Sequence, residues 1–252
     1  MYKRQTLSGA VPVYLMPKQD PVTGLWGSLD PETVEEGFRQ YPDCKAVFLV
    51  SPTYYGVCSN IRSIADICHR HGALLLVDEA HGGHLYFQKE GTATETLPRG
   101  AILQDADMCA QSMHKVTGSL TQSSLLLTGK NVNWEYVSQI TNLTQTTSAS
   151  YLLMSSLDIS RRNLALRGKE SFAKVSRMAE YAREEINAIG GFYAYGKDMI
   201  NGSSVYDFDV TKLSVYTRDI GLAGIEVYDL LRDEYDIQIE LGDICLLYTS
   251  PS

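Results

Sequence analysis

The chain has 252 residues, 44% hydrophobic and 21% charged, with a net charge of −8. That is enough apolar sequence for one large domain or one and a half, and the acidity disfavours a nucleic-acid partner, because counterion release needs clustered Lys and Arg. No stretch approaches the roughly eighteen uncharged apolar residues of a membrane span, and the N-terminus lacks the basic-then-apolar order of a signal peptide, so a cytoplasmic location with no membrane partner is expected.

From Cys44 to Thr128 short apolar runs alternate with helical or turn-rich stretches, the pattern of parallel strands joined by crossovers. KAVFLVS at 45–51 predicts a buried strand, and SPTYYG at 51–56 predicts the turn at its carboxyl end. Ser59 is placed to cap a helix that presents Ile61, Ile64, Ala65 and Cys68 on one face, with Gly72 to end it. ALLLVD at 73–78 is the next strand. This β-α-β unit crosses over right-handed and brings both loops to the sheet edge where ligands bind in open parallel sheets. Two more strands are expected at 107–112 and 123–128, flanking MHKVTG at 113–118. Residues 150–189 read as mainly helical, with Gly168 as a break or kink and Gly190 and Gly191 as the stop. There the domain is expected to change. A strand at 212–217, an amphipathic helix at 219–235 and a strand at 236–241 follow, the start of a smaller α/β domain. The five cysteines are scattered and form no CxxC, so neither a disulfide framework nor a zinc site is suggested.

Asp78 stands where a buried strand runs out, followed by EAHGGH at 79–84. A carboxylate there could hold a cationic ring nitrogen, with the small Ala80 letting a flat ring lie against the backbone; equally, such an Asp can simply cap the next turn. Lys115 follows QSMH at 111–114, again after a strand. A lysine buried at a sheet edge beside a hydroxyl and an imidazole loses its proton readily and attacks an aldehyde, whereas an ordinary loop lysine stays solvated. Ser112 and His114 could bind a phosphate. His81 and His84 with Asp78 raise the question of a metal, but Gly82 and Gly83 between them argue against a rigid helix carrying both rings, so no metal is expected and His84 reads as structural.

With these residues in view, the sequence resembles the Orn/Lys/Arg decarboxylases, pyridoxal phosphate (PLP) enzymes of fold type I with an aspartate aminotransferase-like architecture. The matching stretches are SPTYYGV at 51–57, VDEAHGGH at 77–84, QSMHK at 111–115 with Thr121 and Gln122, TTSASY at 146–151, DVTKL at 209–213 and IELGD at 239–243. The resemblance implies an α/β, three-layer, mostly parallel sheet for a PLP-binding large domain over residues 6–190, its N-terminal part missing, and an incomplete small domain over 191–245. It implies that Lys115 carries the covalent link to PLP, that Asp78 pairs with the pyridine nitrogen, that Ala80 packs on a ring face, that Ser112 and His114 contact the phosphate, and that His81 lies near the ring oxygen or the substrate carboxylate. The implied reaction converts arginine, lysine or ornithine to its amine and carbon dioxide, a step of polyamine biosynthesis. It also implies a homodimer in which Thr146, Thr147 and Ser148 approach the neighbouring subunit's phosphate. Ala149 and Val210 replace prolines of the family pattern without touching this chemistry.

The resemblance also implies a phosphate-binding turn and a stacking histidine upstream of Leu7 that this chain does not supply, so a fragment with weak PLP binding and little turnover is expected. MYKRQ at 1–5 and LLYTSPS at 246–252 look like translated sequencing-adapter read-through, which resequencing the native gene would test. Aminotransferase or lyase chemistry uses the same Asp and Lys, and a non-catalytic relative is a third reading, against which the intact Lys115 and Asp78 speak. VDEAH at 77–81 also spells a DEAH-type ATPase motif, but its P-loop is absent upstream; GFYAYGK at 191–197 lies downstream and is followed by Asp198.

Overall fold

The computed structural model describes residues 8–21, 23–87, 97–242 and 245–249, with the side chains of Arg218 and of 245–249 outside the description. Helix α1 (Pro31–Gln40) carries its start in the sequence: Asp30 caps it by accepting from Thr33 N at 2.8 Å, Pro31 follows, and Val34 and Phe38 are buried. Strand β1 (Ala46–Val50) leads through the 51–56 loop to the short β2 (Val57–Cys58). Helix α2 (Ile61–Arg70) buries Ile61, Ile64, Ala65, Ile67 and Cys68 on one face. Its cap is Asn60, which accepts from Ser63 N at 3.1 Å, and not Ser59; the latter is buried, its amide bonded to Ser51 Oγ. Gly72, at φ +67, then turns the chain into β3 (Leu74–Asp78).

Strand β4 (Met108–Gln111), the one-turn helix α3 (Met113–Val116) and β5 (Leu125–Thr128) complete a four-stranded sheet of order β1-β3-β4-β5. β1, β3 and β4 are parallel and β5 is antiparallel to β4. The sheet is therefore mostly parallel, as the β-α-β pattern required. Val34, Phe38, Ile64, Cys68, Leu75, Val77 and Cys109 form the core between α1, α2 and one sheet face, each fully buried aliphatic side chain contributing about 1.5–3 kcal/mol.

Helices α4 (Trp134–Thr144) and α5 (Tyr151–Ile189) follow. α5 runs 39 residues without interruption, so Gly168 does not break it. The glycine lies against Phe87, where an added Cβ would meet Phe87 Cβ at 3.1 Å; close approach, and not helix termination, is its physical role. Gly190, at φ +83, ends the helix as expected.

The remaining strands are β6 (Tyr193–Ala194), β7 (Asp207–Phe208), β8 (Lys212–Tyr216), β9 (Leu241–Gly242) and β10 (Cys245–Thr249), with helix α6 (Gly224–Tyr235) after β8. They form an antiparallel sheet of order β6-β8-β10-β9, while β7 pairs with β2. Of the strand expected at 236–241 only Leu241 is extended into a ladder; Asp236, at φ +54, ends α6 in a left-handed turn, and Ile237 N bonds back to Leu231 O at 2.9 Å, which spends the segment on helix termination. Residues 246–249 of the suspected tail form most of β10; residues 1–5 and 250–252 lie outside the described residues. A second core joins Leu25, Val57 and Leu85 to Tyr195, Phe208, Val210 and Tyr216, so the segments before and after residue 190 are packed together. Among the described residues no helix is long and apolar enough to cross a membrane.

Candidate active site

The parallel register sets Val50 beside Asp78 and Asp78 beside Ala110, so three strands end at one edge. The loops that leave them, 51–56, 79–82 and 112–118, carry the residues singled out in the sequence. Asp78 is half-buried at the end of β3, and its Oδ1 accepts from Ala80 N at 3.1 Å. The turn-capping role and a ligand-facing role are compatible, because a carboxylate has about four acceptor positions and the cap uses one. Ala80 is half-buried beside it.

His81 is buried, with its ring edge-on to Tyr54 at 5.0 Å and its Nε2 3.2 Å from Lys115 Nζ. Burial, then the charges of Lys212 and Lys115, lower its pKa to about 4 against the weaker opposing pull of Glu240 and Asp209. A neutral imidazole can accept from a lysine ammonium. Lys115 itself, on α3, is exposed, which corrects the expectation of a buried lysine: a one-turn helix at the sheet edge presents the side chain outward, over His81.

Ser112 is half-buried at the start of α3, and its carbonyl accepts from Lys115 N at 3.1 Å. His114 Nδ1 lies 2.9 Å from Ser123 O. A carbonyl only accepts, so Nδ1 carries the proton, and Nε2 can donate to an anion only from the imidazolium. Thr146, Thr147 and Ser148 are exposed in the turn between α4 and α5.

Two features, Glu79 and Tyr54, went unassigned in the sequence. Glu79 is buried and takes Gln111 Nε2 at 2.7 Å, Ala101 N at 2.7 Å, the Tyr86 hydroxyl at 2.8 Å and Cys109 Sγ at 3.3 Å; burial raises its pKa against those bonds. It ties the end of β3 to the end of β4. His84, read from the sequence as structural or as a hydrogen-bonding loop residue, is buried, stacks on Phe172 and lies 3.1 Å from Asp209 Oδ2. Tyr54 donates to Glu240 Oε1 at 2.7 Å. The Glu in VDEAH, and the matches at 209–213 and 239–243, were the available signals. A carboxylate, an imidazole, a primary amine and a small residue thus share one sheet edge, a donor set suited to a flat, cationic-ring aldehyde cofactor.

A family model described as Orn/Lys/Arg decarboxylase, major domain, matches residues 2–217. The chain is 40% identical over 238 residues to an arginine decarboxylase of Halalkalibacterium halodurans, covering 94% of this chain and 47% of that protein. It is 36% identical to an arginine decarboxylase of Bacillus cereus, covering 94% and 50%. It spans about half the length of the curated relatives it matches. Among solved structures, a lysine decarboxylase of Francisella novicida aligns with TM-score 0.68 at 21% identity, over 94% of this chain and 39% of that one. A NifS-like protein of Rickettsia africae aligns with TM-score 0.70 at 13% identity, over 98% and 66%. These two likenesses establish the α/β architecture of PLP fold type I, and the sequence matches place the chain itself: it belongs to the Orn/Lys/Arg decarboxylase family.

Proposed function

We propose that the protein decarboxylates a basic amino acid to its amine with PLP as cofactor, and that Asp78, Ala80, His81, Ser112, His114 and Lys115 hold the cofactor and substrate. The observation that carries this reading is the convergence at one sheet edge of Asp78, ending β3, with Lys115 Nζ 3.2 Å from His81 Nε2. PLP, when bound, supplies a protonated ring that draws electrons from the breaking bond. Asp78 keeps that ring nitrogen protonated, Ala80 leaves room for a flat ring, and Lys115 supplies the amine that anchors it. His81, kept neutral by burial, accepts a hydrogen bond from Lys115 Nζ at its Nε2 and so orients the amine. Ser112 offers a hydroxyl to the phosphate, and His114, its Nδ1 proton held by Ser123 O, contacts the phosphate from the same one-turn helix.

The names of the relatives favour arginine over lysine and ornithine. The proposal extends to a homodimer, with Thr146, Thr147 and Ser148 turned toward the neighbouring phosphate, to a cytoplasmic enzyme of polyamine biosynthesis, and to a division near residue 190 between a PLP-binding and a smaller domain. The chain spans about half the length of its curated relatives, and the 252 residues alone are expected to bind PLP weakly and to turn over little. The test is carbon dioxide and amine release from arginine, lysine and ornithine by the full-length protein, with a loss of about a thousandfold or more in Lys115→Ala. A keto acid in place of the amine would assign the site to transamination instead.

A further inference from the structure

The loop after β1 and the segment before β9, 186 residues apart in sequence, meet where the Tyr54 hydroxyl donates to Glu240 Oε1 at 2.7 Å. Tyr54 is half-buried and Glu240 exposed, so water competes for this bond, but a carboxylate acceptor makes it stronger than a neutral one would. Each end is held independently. In the loop, Thr53 N donates to Val57 O at 2.8 Å, Gly56 N to Thr53 O at 3.0 Å and Val57 N to Thr53 Oγ1 at 3.1 Å. On the other side Ile239 is buried in the core it forms with Ala194, Val215 and Val227. Gln238 Nε2 donates to the Tyr228 hydroxyl on α6 at 2.7 Å and to Ile239 O at 2.8 Å. Glu240 is thus carried by the core of the smaller sheet, and Tyr54 by the edge of the parallel one.

We propose that Tyr54 is a positioning residue for the candidate site, locked by its hydrogen bond to Glu240 so that its ring holds the His81 imidazole in line with Lys115. The proposal rests on the reading of His81 and Lys115 as site residues and adds the pair that orients them. The Tyr54 and His81 rings meet with centroids 5.0 Å apart and planes at 89°, the perpendicular arrangement that the charge distribution of aromatic rings favours. His81 Nε2 in turn lies 3.2 Å from Lys115 Nζ. A hydrogen bond weakens steeply as it leaves alignment, so the plane of the His81 ring decides how well this bond is made, and Tyr54 bounds that plane on one side. The phenol can swing about its own side-chain torsions unless its far end is tied, and Glu240 ties it. Burial, then the Glu240 carboxylate, pushes the Tyr54 hydroxyl above its ordinary pKa, so it remains a donor. The consequence is a line of contacts from Ile239 through Glu240, Tyr54 and His81 to Lys115, by which the seating of the smaller sheet sets the direction of the amine at the site.

The experiment is magnetic resonance of the isotope-labelled chain without PLP, with the His81 signals assigned through His81→Gln. It reads the cross-peak between the Tyr54 and His81 ring protons and the His81 Nε2 resonance, and Lys115→Met marks where that resonance lies once the Lys115 bond is gone. The wild type is expected to show the cross-peak. Glu240→Ala, folded by circular dichroism, is expected to lose it and to move Nε2 toward the Lys115→Met position. Glu240→Gln, whose amide oxygen still accepts from the hydroxyl, is expected to keep both wild-type signals. Tyr54→Phe, which removes only the donor, is expected to move Nε2 as Glu240→Ala does. A folded Glu240→Ala with the wild-type cross-peak or Nε2 position overturns the proposal, and so does a Glu240→Gln that matches Glu240→Ala, since the effect would then belong to the charge and not to the hydrogen bond. If Glu240→Ala does not fold, Tyr54→Phe decides: a shifted Nε2 supports the lock, and a wild-type position overturns it. Because the measurement uses no cofactor, failure of the PLP reading would leave this result standing.

Discussion

At the scale of single residues, the site is a set of groups whose protonation is set by surroundings. His81 carries a pKa of about 4 in the fold against an ordinary 6.5. Between those values the unfolded chain holds more protons than the folded one, so His81 makes stability fall as pH drops from about 6.5 toward 4, by about 3 kcal/mol. Urea unfolding of wild type and His81→Gln across this window is expected to give a flatter profile in the variant; parallel profiles would mean His81 titrates normally. Glu79 has the opposite sense. Its folded pKa is raised, so its protonated form favours the fold, and its contribution declines as pH rises above the ordinary glutamate value. Glu79→Ala leaves Gln111, Ala101 N and the Tyr86 hydroxyl without their buried acceptor, and a loss of about 3 kcal/mol is expected in urea unfolding at neutral pH. The strand-end carboxylate and lysine were readable because parallel strands deliver their C-terminal residues to one edge. The roles of Glu79 and Glu240 were not, because each depends on a partner at least 32 residues away that sequence spacing does not reveal: Gln111 for Glu79 and Tyr54 for Glu240.

At the scale of elements, the alternation of apolar runs with turn residues was sufficient for β1, α2, β3, β4 and β5, since each buries a face against the same core. It failed where local chemistry competes. Asn60 and not Ser59 caps α2, because Ser59 is drawn into the β1 turn by its bond to Ser51 Oγ. The 236–241 segment carries strand-forming residues, yet it is consumed in ending α6. Gly168 has the propensity of a helix breaker, but a 39-residue helix packed on Phe87 overrides a local preference of about 1 kcal/mol. A larger residue there should push α5 off the 83–87 turn: Gly168→Ile is expected to destabilise by about 1–3 kcal/mol in thermal unfolding. An unchanged melting point would show that the approach to Phe87 is loose. Gly56→Ala should be destabilising for two reasons at once, its positive φ and the 3.0 Å approach to Asp209 O, with about 1–3 kcal/mol lost in the same measurement.

For the whole molecule, the chain spans about half the length of its curated relatives, and its surface carries large apolar side chains on two consecutive helices: Trp134, Tyr136 and Leu143 on α4, Tyr151, Leu152 and Ile159 on α5. α4 buries none of its residues. Such a surface fits the proposed subunit interface, and it lies beside the exposed Thr146, Thr147 and Ser148. The full-length protein is expected to sediment as a dimer at micromolar concentration, and Leu143→Glu with Leu152→Glu to shift it toward monomer; a full-length wild-type monomer would exclude the shared site. The central claim is narrower, that this sheet edge holds PLP through Lys115. It is tested most directly by the visible absorbance of the full-length protein with PLP, compared with Lys115→Ala. A band present in the wild type and lost in the folded variant is the predicted result, whereas no band in the folded wild type, or an identical band in both, would contradict the assignment.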